Sequence, residues 1–164
     1  MSDPDWRIDL SRRMREDPGR VLLMVRRFEA SPERVYDAWT DPRYAALWLF
    51  TGPTSKAHTC EMEPRPGGRW TITDMREGVT YTASGEFIET DRPRRLSLTF
   101  AMLQFSSSHD LITVTFEADG EGCIMRFRQE GIAQEAKEPS RSGWTPMFRG
   151  LAHAIGAPPP VESP

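Results

Sequence analysis

From about residue 56 to residue 130 the chain alternates apolar and polar residues with a period of two, and tight-turn signals recur at short intervals. That pattern rules out helix for nearly half the chain. Only a strand puts alternate side chains on opposite faces. His58, Cys60 and Met62 share one parity, and Pro64-Arg65-Pro66-Gly67-Gly68 ends their segment. Trp70 and Ile72 share a face before the Glu77-Gly78 turn, and Tyr81, Ala83, Gly85 and Phe87 share the next, broken at Asp91-Arg92-Pro93. Leu96, Leu98, Phe100 and Met102 alternate, as do Ile112, Val114 and Phe116. Asp119-Gly120-Glu121-Gly122 then reads as a tight hairpin leading into Cys123, Met125 and Phe127. Six consecutive short strands joined this way predict an antiparallel meander.

The flanking segments supply the rest of the fold. Val21–Phe28 reads as a first strand. Ser31-Pro32 and Asp41-Pro42 each place a capping side chain before a proline at the first helical position, so two short helices follow. At the far end Trp144, Met147, Phe148, Leu151, Ala152 and Ile155 form one apolar stripe at helical spacing. It starts near Ser142 or Thr145-Pro146 and is stopped by Gly156 and Pro158. The expectation is an α+β fold: a curved antiparallel sheet of about seven strands wrapped on a long C-terminal helix, with two short helices after the first strand. Residues 1–20 read as a polar extension with one helical turn, residues 21–156 as the domain, and residues 157–164 as a proline-rich tail.

Composition excludes several classes. With 164 residues the chain has room for about one domain. A formal charge of −3 and a pI near 5.7 argue against a nucleic-acid partner recruited by bulk charge. The apolar run Val21–Val25 is too short for a membrane span or a signal peptide, so a cytoplasmic location is expected. Cys60 and Cys123 make no disulfide framework and read as free thiols. Of 21 basic residues only Lys56 and Lys137 are lysine, and the arginine clusters, interleaved with acids or placed at turns, read as solvated faces.

The candidate chemistry is sparse. His58, His109 and His153 lack metal-ligand spacing with either cysteine, so no metal and no cofactor is expected. Gly67-Gly68 is a turn, without the spacing of a phosphate loop. Ser106 to Asp110 reads Ser-Ser-Ser-His-Asp, but neighbours on one loop cannot converge as a triad does, and a loop is the better reading. Asp74 and His58 share parity with inward residues and could act as acid or base; a strand end facing water is the preferred reading for each.

The order of elements and the motifs resemble the SRPBCC, or START-like, superfamily, whose fold is called helix-grip or Bet v 1-like. Within it they look like the branch named for homologues of the activator of heat-shock-protein ATPase. The residues that carry the likeness run from Phe28 to Pro42, then Leu47-Trp48, Pro66-Gly67-Gly68-Arg69-Trp70, Gly85 to Glu89, Arg94-Arg95-Leu96, Glu130-Gly131 and Gly143-Trp144. The resemblance spans about residues 21–155 and implies a fold that often keeps a cavity. Its members include lipid and polyketide binders, polyketide cyclases and chaperone activators.

The inward residues Trp48, Trp70, Ile72, Tyr81, Phe87, Phe100, Met102, Phe127, Trp144, Met147, Phe148 and Leu151 would then line a ligand site, or else form an ordinary closed core. Trp144 and Phe148 are expected to face Trp70 and Phe100 across a ligand-sized space. The partner expected is a small apolar molecule; the sequence leaves room for a homodimer. The rival functions are a cyclase- or hydratase-type enzyme and a protein-interaction module.

Overall fold

The computed structural model describes residues 5–51, 58–102, 104–105 and 108–162, with His58 described by its backbone only. In chain order the elements are α1 (Asp5–Glu16), β1 (Val21–Phe28), α2 (Pro32–Thr40), α3 (Pro42–Ala45), β2 (His58–Met62), β3 (Arg69–Arg76), β4 (Val79–Asp91), β5 (Arg95–Met102), β6 (Asp110–Asp119), β7 (Gly122–Glu130), α4 (Lys137–Ala154) and β8 (Val161–Glu162). The strands form one open antiparallel sheet in the order β2-β3-β4-β5-β6-β7-β1-β8. Sequential neighbours pair throughout the meander, and β1 closes on β7 from Val21↔Glu130 to Phe28↔Cys123.

The helix starts are set as their sequences dictate. The Ser31 hydroxyl accepts from the Arg34 amide at 3.3 Å, and an Asp41 carboxylate oxygen accepts from the Arg43 amide at 2.9 Å. Both caps precede a proline, whose missing N–H would have gone unpaired there in any case. Sheet parity also follows the alternation. Trp70, Ile72, Leu96, Leu98, Ile112, Val114, Met125 and Phe127 are all buried on the face turned towards the helices.

The fold class is as expected, and three details differ from the sequence reading. The sheet has eight strands, because the tail adds β8 to β1 through Arg26↔Glu162 and Arg27↔Val161. The first segment forms a 12-residue helix, held by side chains that composition alone does not single out. Finally, α4 begins at Lys137, and Pro146 lies inside it. Proline cannot donate to the Ser142 carbonyl. One residue earlier, the Thr145 hydroxyl donates to the Arg141 carbonyl at 2.8 Å.

Two close approaches require glycine. A Cβ on Gly85 would meet the Thr99 carbonyl oxygen at 1.8 Å, at the place where β4 folds over β5. Gly131 adopts φ +98°, and a Cβ there would lie 2.6 Å from Arg13 Nη1 and 2.7 Å from a Leu10 methyl. α1 therefore docks against a backbone shaped to receive it. Among the described residues no helix is long and apolar enough to cross a membrane.

Candidate functional site

The core is aromatic and divides into two clusters. Trp39 is the hub of the first, with ring centroids 4.8 Å from Trp48, 6.1 Å from Trp144, 6.3 Å from Phe127 and 6.4 Å from Phe148. Phe50 is the hub of the second, stacked at 4.8 Å on Phe100 and 5.7 Å on Trp70, and edge-on to Trp144 at 5.3 Å. The space expected between Trp144 on the helix and Trp70 and Phe100 on the sheet is thus occupied by the Phe50 ring. Phe50 sits just after α3 with φ +54°, a conformation unusual for a side chain of this size. Its amide donates to the Met147 sulfur at 3.2 Å, and its carbonyl accepts from Arg76 Nη2 at 3.1 Å.

Open volume lies beside this plug. One hollow of about 600 Å³ runs between the ends of β5, β6 and β7 and the start of α4. A second, of about 370 Å³, continues towards Phe50, Arg76, Trp144 and Met147. Both are bordered by Phe100, Met102, Gln129 and Ser140, so they form one groove. Of the twelve residues expected at a site, Phe100, Met102, Trp144 and Met147 border it. Trp48, Trp70, Ile72, Phe87, Phe127, Phe148 and Leu151 are packed into the closed core. Tyr81 stacks on Phe105 at 6.2 Å and lies beneath the Arg76 guanidinium. The same face therefore serves both purposes: core towards α2 and groove towards the start of α4.

A polar chain crosses the middle of the groove. Gln129, 2% exposed, accepts from Trp144 Nε1 at 3.1 Å and donates to Asp110 at 2.8 Å. Asp110 also accepts from Arg13 Nη1 at 3.0 Å. Arg13, 7% exposed, further donates to the Gly131 and His109 carbonyls and to Asp9. Arg13 thus ties α1 to the groove's end. Near the start of this helix a separate hollow is bordered by Trp6, Asp9 and His109.

Asp74 is corrected too. It is 2% exposed on the inward face, where water was expected. Arg76 Nε donates to one of its oxygens at 2.5 Å, and the other oxygen has no partner among the described residues. Opposite Asp74 across the ladder lies the backbone of His58. Of the loop that suggested a triad, Ser106 and Ser107 lie outside the described residues; the Asp110 carboxylate is committed to Arg13 and Gln129. Burial pushes the thiols of Cys60 and Cys123 up to about 11. Both cysteines are free. Among the described residues no group of three or more His, Cys, Asp or Glu side chains is arranged to hold a metal ion.

Gln129 was within reach of the sequence, since it continues the parity of Met125 and Phe127. Phe50 was not, because a single positive-φ residue after a one-turn helix carries no periodic signal. Arg13, Arg20 and Arg76 were hidden in a composition rich in arginine.

A long helix gripped by a strongly antiparallel sheet, with an open groove beside it, defines the helix-grip class. The comparison with family models is specific: residues 29–156 match the family described as Activator of Hsp90 ATPase homolog 1-like protein, and the chain belongs to it. A comparison with curated proteins finds no significant match. Among solved structures, a protein from Chromobacterium violaceum is similar at TM-score 0.72 and 24% identity, covering 83% of this chain and 96% of that one. A Rhodobacter sphaeroides protein is similar at TM-score 0.68 and 22% identity, over 83% and 92%. An HSP90 activator from Plasmodium falciparum is similar at TM-score 0.66 and 17% identity, over 85% and 99%. At these identities the likeness is one of fold.

Proposed function

We propose that this chain binds a small, largely apolar molecule, lipid- or polyketide-like, in the groove between the ends of β5–β7 and the first half of α4. The observation that carries the reading is the continuity of the two hollows through Phe100, Met102, Gln129 and Ser140. Ligand pockets are concave, mostly apolar, and carry a few polar groups. Here those groups are Gln129 and Ser140, with Arg76 at one end. Burying apolar ligand surface would supply roughly 25 cal/mol per Å² before the costs of association. The test combines mass spectrometry of small molecules extracted from purified protein with titration of an environment-sensitive apolar dye. Absence of both a co-purifying molecule and dye binding would remove this reading.

Two other readings each have one supporting observation. The unpartnered oxygen of buried Asp74 supports an enzyme of the cyclase or hydratase kind, which Asp74→Asn would silence while leaving ligand binding intact. The family description supports a protein-interaction role on a chaperone ATPase, tested by whether the purified chain changes ATP turnover by Hsp90.

A further inference from the structure

Three arginines border the groove, and two of them are already committed. Arg13 gives its donors to Asp9, Asp110 and two carbonyls. Arg76 gives its donors to Asp74 and the Phe50 carbonyl. Arg20 is different. Its Nε is shielded from water and has no hydrogen-bond partner among the described residues, although the side chain as a whole is 28% exposed. Its nearest acid, Asp17, stands off at 3.8 Å. The Asp17 carboxylate is itself occupied, accepting from the Gly19 amide at 3.0 Å and from the Gln134 side chain at 3.2 Å. A desolvated donor without an acceptor is costly, and a guanidinium whose one ion pair is this long favours an incoming planar anion with two oxygens.

The rest of the groove fixes the remainder of the ligand. From Arg20 one wall is apolar through Ile132, Met102 and Phe100 to Trp144, with Gln129 and Asp110 of the polar chain also bordering the groove. We propose that the molecule taken by this groove is an amphiphilic carboxylic acid, with its carboxylate on Arg20 and its apolar body lying along Met102 and Phe100 towards Trp144. This rests on the apolar-ligand reading above and specifies its head group. Arg20 and Arg13 both precede residue 29, where the family match begins, while the apolar wall beside them lies within it.

The test pairs decanoate with decan-1-ol, which have the same number of carbons and differ in the head group. Each is titrated against the full chain carrying a bound apolar dye, with tryptophan emission as a second readout. Decanoate should displace the dye at about tenfold lower concentration than the alcohol. In Arg20→Ala, and in Arg20→Gln, which keeps the length but not the charge, that ratio should fall to about one. Arg20→Lys should keep part of it. Thermal melts establish that each variant is folded. If the alcohol binds and decanoate binds no better, the head-group inference fails and the apolar reading stands. A preference that survives both neutral variants overturns the assignment to Arg20. If neither molecule binds, both readings fail.

Discussion

The Phe50 ring offers the sharpest test of how this interior is built. It is 8% exposed and touches three aromatic rings with centroids at 4.8, 5.3 and 5.7 Å. Truncating a fully buried phenylalanine to alanine costs about 3–5 kcal/mol, the transfer term plus the cavity left behind. Here one side of the vacated space opens to the groove, where water or ligand can enter. Phe50→Ala should therefore lie near the lower end, about 3 kcal/mol, or roughly 6–12 °C in Tm for a domain of this size. The backbone adds a second arm. At φ +54° alanine still carries a Cβ and glycine does not. Phe50→Gly should be more stable than Phe50→Ala by about 1 kcal/mol, although both remove the same ring. Urea unfolding of the three proteins measures both differences, and dye titration should show an enlarged site in both variants. A loss below about 1 kcal/mol with unchanged dye binding would refute the wedged-ring account. Alanine matching or exceeding glycine would refute the left-handed backbone.

Ala83, 2% exposed and opposite Ile72, borders no part of the groove, so Ala83→Phe should overpack the core and cost about 1–3 kcal/mol by thermal or urea melt. Gly131→Ala should cost about 2 kcal/mol or more and expose α1 to limited proteolysis, because its Cβ would collide with Arg13 and Leu10 at a positive φ. The thiols of Cys60 and Cys123, raised from 9.0 to about 11, are neutral in the folded protein, and the folded state disfavours their ionisation. Their contribution to stability is intact below pH 9 and is lost as pH rises towards 11. Both should resist iodoacetamide at pH 8 until the chain is unfolded, and the loss of stability between pH 9 and 11 should shrink in the Cys60→Ala, Cys123→Ala double variant.

What the sequence makes legible is whatever repeats. Leu96, Leu98 and Phe100, or Cys123, Met125 and Phe127, announce an inward face because burial acts on every second residue of a pleated strand. The two capped prolines announce helix starts because each satisfies a local hydrogen-bonding need. The open part of the interior is not a repeating property. It depends on one ring, Phe50, filling the space that alternation suggested was empty, and on volume persisting some residues away beside Gln129. Asp74 obeyed its parity and turned inward. The expectation of water at that strand end failed because Arg76, two residues later and itself 36% exposed, donates to the buried carboxylate. α1 was obscured for a related reason: its anchor is an arginine, a residue type ordinarily spent on the surface.

An open sheet has two margins, and each presents backbone groups that another chain could pair with. The β2 margin is only five residues long. The β1 margin is longer and is covered piecemeal: β8 takes Arg26 and Arg27, and Arg141 donates to the Leu23 carbonyl at 3.2 Å. The few residues beyond α4 thus act as a selvedge, keeping the exposed side of β1 from becoming a template for self-association. A chain shortened after Gly156 would keep its groove and its core yet lose part of that protection. Its solubility at high concentration would suffer before its stability did.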